Sequence, residues 1–245
     1  EMLIIGYIIG CCIAFLYAIF NINVKVFLRS SFKEMKNFIL LYADIPSLKL
    51  PADFINNFGQ QAPTFIVSYR FGDEYAGFLA LTIKFLGAPL AIIGRSISDV
   101  FRPLLIKAIE EKGNCIEDFK RVSVYLFITS VLSLVIIFPF GEIIFKFLFG
   151  SEWALSGYFA SILSLLFAFR MMASPVSYIL TAYRKVGVEL VVQTIILFVI
   201  VISFSISSDL NTTILLFSLF GSFAYLLYYL ICLYYSYGNQ SLGSK

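Results

Sequence analysis

Long apolar runs separated by short polar stretches recur along the whole chain. Seven of them have the length of a membrane-crossing helix, at about 2–22, 51–69, 77–98, 122–140, 154–182, 188–205 and 214–235. A helix needs about 20 mainly apolar residues to cross the hydrocarbon core of a bilayer. The pattern therefore predicts an all-α integral membrane protein with seven transmembrane helices.

The composition supports the membrane assignment and excludes other classes. Of the 245 residues, 60% are hydrophobic and 13% are charged, whereas soluble domains carry about 45–50% apolar and about 25% charged residues. The net charge of +3 is dispersed along the chain, so we expect no nucleic-acid partner. There is no histidine, and the four cysteines lack metal-binding spacing. We expect neither enzymatic activity, nor a cofactor, nor a metal site.

The distribution of basic residues predicts the orientation in the membrane. Of the 18 Lys and Arg residues, 13 follow spans one, three, five and seven, whereas Arg70 and Lys146 are the two in the opposite loops. Cytoplasmic loops are enriched in Lys and Arg, so we predict that Glu1 is external and Lys245 cytoplasmic. An external start without an initiator methionine favours the later part of a longer transporter.

The second predicted span carries an unusual number of polar side chains. On a helix, Asp53, Asn57, Gln60, Gln61, Thr64 and Ser68 form one stripe, with Asn56 beside it. Such a stripe is typical of a helix that lines a water-filled cavity, or of hydrogen bonds between packed helices.

Three cations lie inside predicted spans, where charged residues are energetically costly. Lys84 and Arg95 are 11 residues apart, which places them on the same face of a helix at 100° per residue. Lys84 can face a cavity or pair with an acid on another helix, and Arg95 can extend to the interface or pair with Asp99. Arg170, close to Pro175, can meet an anion or fill a structural role at a helix break.

Two carboxylates are candidates for ion coupling. Asp53 begins the polar stripe, and Glu189 lies at the cytoplasmic end of the sixth predicted span. The alternative for Glu189 is an interfacial ion pair with Arg184 or Lys185.

Four segments resemble the Wzx-type oligosaccharide flippases of the MOP superfamily, which export O-antigen or capsular repeat units. They are NNFGQQAPTFIVSYRFG (56–72), LGAPLAIIG (86–94), LFGSEW (148–153) and FRMMASPV (169–176). The resemblance implies that the last six helices form one lobe of a two-lobed transporter. Residues 1–22 would then be the last helix of the N-terminal lobe, 23–50 a cytoplasmic linker, 51–237 the C-terminal lobe and 238–245 a cytoplasmic tail.

The resemblance also implies a function, namely the translocation of a polyprenyl-pyrophosphate-linked oligosaccharide across the bacterial cytoplasmic membrane by alternating access. The pyrophosphate would be bound by Lys84, Arg95 and Arg170. The sugars would be bound by Asn56, Asn57, Gln60, Gln61 and Thr64. The expected partners are the lipid-linked oligosaccharide, membrane lipid, and a polysaccharide polymerase with its chain-length regulator.

Other functions remain open at this stage. An ion-coupled drug exporter of the same superfamily would favour carboxylates inside the membrane. A membrane-embedded polysaccharide polymerase or acyltransferase would need a large external loop or an embedded histidine. A seven-span receptor would match the number of spans but would not explain the cations within them.

Overall fold

The computed structural model of the chain describes residues 2–21, 37 and 44–238. Within this part of the chain the regular structure is entirely helical. The helices are α1 (Met2–Asn21), α2 (Asp44–Phe71), α3 (Asp73–Lys112), α4 (Ile116–Phe149), α5 (Ala154–Ala173), α6 (Tyr178–Ala182), α7 (Val186–Ile206) and α8 (Leu210–Ser236), with a 3-10 turn at Ser151–Trp153. The chain divides into one compact unit at 1–44, which contains α1, and a second at 45–245.

Five of the described segments are long and apolar enough to cross a membrane. They are Asp73–Lys112, Ile116–Phe149, Ser151–Ala182, Val186–Ile206 and Leu210–Ser236. The chain is therefore a multi-pass membrane protein, and the predicted all-α integral membrane class is confirmed. Since α1 and α2 are not among the five, the total of seven spans stays a prediction.

The predicted lobe and linker boundaries also stay predictions. Helix α2 begins at Asp44, inside the segment 23–50 predicted as a cytoplasmic linker. The rest of that segment, apart from residue 37, lies outside the described residues. So do residues 239–245 of the predicted tail.

Helices α3 and α4 are longer than the bilayer is thick. They contain 40 and 34 residues, or about 60 and 50 Å of helix at 1.5 Å per residue, against a hydrocarbon core of about 30 Å. The predicted spans at 77–98 and 122–140 leave residues 99–121 between them, but this stretch is helical except at the short turn 113–115. Hydropathy marks where a helix leaves the membrane, whereas Gly113, at φ 71°, marks where α3 ends.

The fifth predicted span is interrupted near its basic end. Helix α5 ends at Ala173, and the chain turns before the five-residue α6 begins at Tyr178. Pro175 has no N–H to donate to the carbonyl of Met171, so the regular hydrogen-bond ladder fails there. In the turn, the Ser177 hydroxyl donates to the Ser174 carbonyl at 2.8 Å. We call residues 174–177 the α5–α6 break.

Basic residues collect at one end of the 45–238 unit. At this end the α3–α4 turn meets the end of α8, where the Cys115 amide donates to the Ser236 carbonyl at 3.1 Å. The opposite end contains the turns around Gly72, Ser151 and Ser207. Among the described residues the first end, which we call the basic end, carries Lys49, Arg102, Lys107, Lys112, Lys120, Arg121, Arg184 and Lys185. The opposite end carries Arg70 and Lys146.

Helix α5 is the central helix of the unit and packs closely against α4. A Cβ atom on Gly157 would lie 2.5 Å from the Cα atom of Glu142 and 2.6 Å from the carbonyl oxygen of Gly141. The two backbones therefore meet through glycine, as is common where membrane helices cross. This packing fixes the helix that carries Arg170.

Candidate functional site

A cavity lies inside the unit, surrounded by α2, α3, α5, α7 and α8. Its polar lining consists of Asn56, Gln60, Arg170, Gln193 and Tyr225, and the rest of the wall is mainly apolar. The space open to the centre of a water molecule is about 30 Å³, which is room for about two waters. The cavity is thus too small in this state for an oligosaccharide.

Arg170 is the charged residue of this lining. Its guanidinium carbon lies 5.6 Å from the ring centre of Phe167 and 5.9 Å from that of Tyr225. Its buried Nε atom has no hydrogen-bond partner among the described residues, and no carboxylate there lies within ion-pair distance of it. A buried donor without an acceptor is costly, so the cavity is suited to an anionic or strongly hydrogen-bonding occupant.

The polar face of α2 divides between the cavity and the outside. Asn56 and Gln60 line the cavity, and the Gln60 amide donates to the Asn56 side chain at 3.4 Å. Asn57 and Gln61, one residue further along in each case, are exposed. Thr64 is half-buried and is not part of the lining. Of the five residues predicted to bind sugars, only Asn56 and Gln60 therefore line the cavity.

Lys84 and Arg95 are both exposed on α3, and their spacing of 11 residues places them on the same side of that helix. Its neighbour Ile83 lines the cavity with Arg170, whereas Lys84 is not part of that lining. Arg95 instead borders a separate groove at the basic end. The three predicted pyrophosphate cations thus lie in three different surroundings within the described residues.

The carboxylates proposed for ion coupling belong to one ion-pair cluster, in which Glu189 is buried and Asp53 is about half exposed. Glu189 is 4% exposed and accepts hydrogen bonds from the ammonium of Lys49 and, at 3.3 Å, from the hydroxyl of Thr181. Lys49 also pairs with Asp53 at 3.1 Å. Burial lowers the pKa of Lys49, but the hydrogen bonds and charges of Glu189 and Asp53 outweigh it and raise that pKa above its usual value.

Sequence reasoning missed the aromatic side of the site. The rings of Phe167 and Tyr225 form cation–π contacts with the Arg170 guanidinium. Aromatic residues make up 18% of the chain, so nothing in the sequence distinguishes these two from the others. Gln193, one turn from Glu189, is easier to recognise from the sequence than the two aromatic residues. An amide on an apolar helix needs a hydrogen-bonding environment, so it indicates a polar site.

The fold and the cavity define a multi-pass helical membrane protein with a cation and several amides in the lining of the cavity. Residues 1–157, about two thirds of the chain, match the profile of the family described as polysaccharide biosynthesis protein. The chain belongs to this family and so to the machinery of polysaccharide biosynthesis. Searches of curated proteins and of solved structures gave no significant match.

Proposed function

We propose that the chain takes part in moving a polyprenyl-pyrophosphate-linked oligosaccharide across the bacterial cytoplasmic membrane, as the C-terminal part of a flippase rather than as an enzyme. The observation that carries this proposal is the buried, unpaired Nε of Arg170 in a cavity lined by amides. Family membership supplies the polysaccharide context. The excess of Lys and Arg at the basic end supports a cytoplasmic location for that end.

The cavity matches the two polar parts of such a cargo. The Arg170 guanidinium carbon lies over the rings of Phe167 and Tyr225, and its unpartnered Nε–H is available to an oxygen of a pyrophosphate. The amides of Asn56, Gln60 and Gln193 offer donors and acceptors to sugar hydroxyls. Because the described polar lining holds a cation and no carboxylate, it favours an anionic cargo over a cationic drug.

The cavity must open before the cargo can bind, since a space of about 30 Å³ does not admit a sugar. Helix α2 forms one wall and is tied at its ends to α7 through Lys49 and Arg70. Displacement of α2 from α5 and α7 would widen the cavity next to Arg170. In our proposal, this displacement of α2 is the part of alternating access that opens the cavity. Lys84 and Arg95, on the exposed side of α3, would then border the cargo's path.

The test is the translocation of a labelled lipid-linked oligosaccharide in proteoliposomes that contain the whole transporter. We expect Arg170→Gln to slow translocation about tenfold or more, and Arg170→Lys to fall between it and wild type because Lys keeps the charge but not the planar fork. Arg121→Gln removes an exposed arginine at the basic end and is expected to behave as wild type. Normal translocation by well-folded Arg170→Gln protein would reject the proposal.

A further inference from the structure

A second polar pocket lies at the basic end, between α3 and the α5–α6 break. It is a groove with about 350 Å³ open to the centre of a water molecule, bordered by Arg95, Ser98, Asp99, Arg102, Ser174 and Pro175. Arg170 is not part of its lining. The groove is therefore distinct from the cavity described above and far more spacious.

The two arginines of the groove have free hydrogen-bonding edges. The guanidinium of Arg102 lies over the ring of Tyr178, with 4.8 Å between its carbon and the ring centre. This cation–π contact holds the guanidinium beside the groove, and its N–H groups donate no hydrogen bond within the described residues. Neither arginine forms an ion pair within the described residues, although Asp99 lies between them on α3.

The remaining lining adds hydroxyl groups to these charges. Ser98 comes from α3, and its hydroxyl lies 3.5 Å from the Pro175 carbonyl, where the break approaches α3. Ser174 comes from the break itself. Two guanidinium groups and two hydroxyls around one opening, with a net charge of +1 including Asp99, form a set of donors that suits a phosphate group.

Apolar residues next to the groove indicate what carries the phosphate. Leu90 lines the groove, and the side chains of Ile92 and Val100 on the same helix are 69% and 62% exposed. Within a bilayer these side chains would lie against acyl chains. We propose that the groove binds the phosphate of a membrane lipid headgroup, with Arg95 and Arg102 as its charged ligands and the lipid chains along α3.

This inference does not require the flippase proposal, because it concerns binding alone. Two lipids offer the same phosphate chemistry, namely an anionic phospholipid and the polyprenyl diphosphate of a lipid-linked cargo. The groove is the same in both cases, and the experiment separates the two sources.

The test is native mass spectrometry of the whole purified chain titrated with phosphatidylglycerol, with a polyprenyl diphosphate, or with inorganic phosphate. We expect lipid to be retained, and Arg95→Gln and Arg102→Gln each to weaken that retention about tenfold. Lys107→Gln removes a nearby cation of α3 that is paired with Glu111 at 3.8 Å, and it serves as the matched control with unchanged retention.

The outcomes assign the source or overturn the inference. Arginine-dependent retention of phosphatidylglycerol that polyprenyl diphosphate does not displace identifies a phospholipid site. Displacement of phosphatidylglycerol by a low concentration of polyprenyl diphosphate identifies a site for the headgroup of the cargo. If both variants retain lipid as well as wild type and Lys107→Gln do, or if inorganic phosphate binds as tightly as lipid, the inference is wrong. Since Arg102→Gln also removes the contact with Tyr178, Arg95→Gln provides the test that does not depend on that packing.

Discussion

The ammonium group of Lys49 on α2 contacts the carboxylate of Glu189 on α7, although the two residues are 140 positions apart in the chain. At its other end α2 is tied to the same helix, because Arg70 donates to the carbonyl oxygens of Phe204 and, at 3.0 Å, Ser207. Between these two contacts α2 faces the cavity with Asn56 and Gln60. The cavity is therefore covered by a helix that polar contacts fasten at both ends.

The contact between Lys49 and Glu189 predicts an asymmetry between single substitutions. Lys49→Gln leaves a carboxylate that is 4% exposed without its cation, and we expect a loss of about 2–3 kcal/mol in the free energy of unfolding. Glu189→Gln should cost less, because Lys49 keeps Asp53 at 3.1 Å. Unfolding by SDS titration in mixed micelles measures both, and the double variant should be less impaired than Lys49→Gln alone. A larger loss for Glu189→Gln than for Lys49→Gln would contradict this account.

The pH dependence of this contact follows from the raised pKa of Lys49. A group whose pKa is higher in the folded protein contributes stability below its unfolded value, here 10.5, and loses that contribution as the pH rises through the folded value. We expect the stability difference between wild type and the Lys49→Gln/Glu189→Gln protein to be constant between about pH 7 and 9. It should decrease only above pH 10.5. A decrease near neutral pH would show that Lys49 is not the group that stabilises α2.

The helical period of the sequence was sufficient to place side chains on a common face, but not to say what that face contacts. Lys84 and Arg95 share one side of α3 as predicted, yet that side is exposed and the cavity lies behind Ile83. Likewise Asn56 lines the cavity while Asn57 is exposed. Which face turns inward depends on packing against α5 and α7, and a single helix carries no information about its neighbours.

The positions of helix ends could not be predicted from the sequence either. The predicted spans at 122–140 and 154–182 leave residues 141–153 between them, but α4 continues to Phe149. Phe145 is buried there, with its ring 4.8 Å from that of Phe85 on α3. Aromatic side chains are typical of the membrane interface and also of helix packing, so their presence did not distinguish a loop from the last turns of a helix.

The aromatic ring of Tyr225 should contribute more to translocation than its hydroxyl group. Tyr225→Phe keeps a ring 5.9 Å from the Arg170 guanidinium carbon, so we expect translocation close to wild type. Tyr225→Leu removes the ring and should reduce translocation about five- to thirtyfold, because a cation–π contact contributes about 1 kcal/mol when exposed and about 2 kcal/mol when desolvated. Tyr234→Leu, an exposed position on the same helix, is the matched control. Equal loss in the Phe and Leu variants would assign the role to the hydroxyl instead.

The crossing of α4 and α5 should tolerate no side chain at Gly157. A Cβ atom there would lie 2.5 Å from the Cα atom of Glu142 and 2.6 Å from the Gly141 carbonyl, and both are backbone atoms that cannot move independently. We expect Gly157→Ala to lower the free energy of unfolding by about 1–3 kcal/mol, the range for overpacking. Gly77→Ala in α3 has nothing within 4 Å of the added atom and should leave stability unchanged or slightly increased. Because both variants add the same methyl group to a helix, their difference in SDS titration isolates the contact, and equal stabilities would show that the two helices separate at little cost.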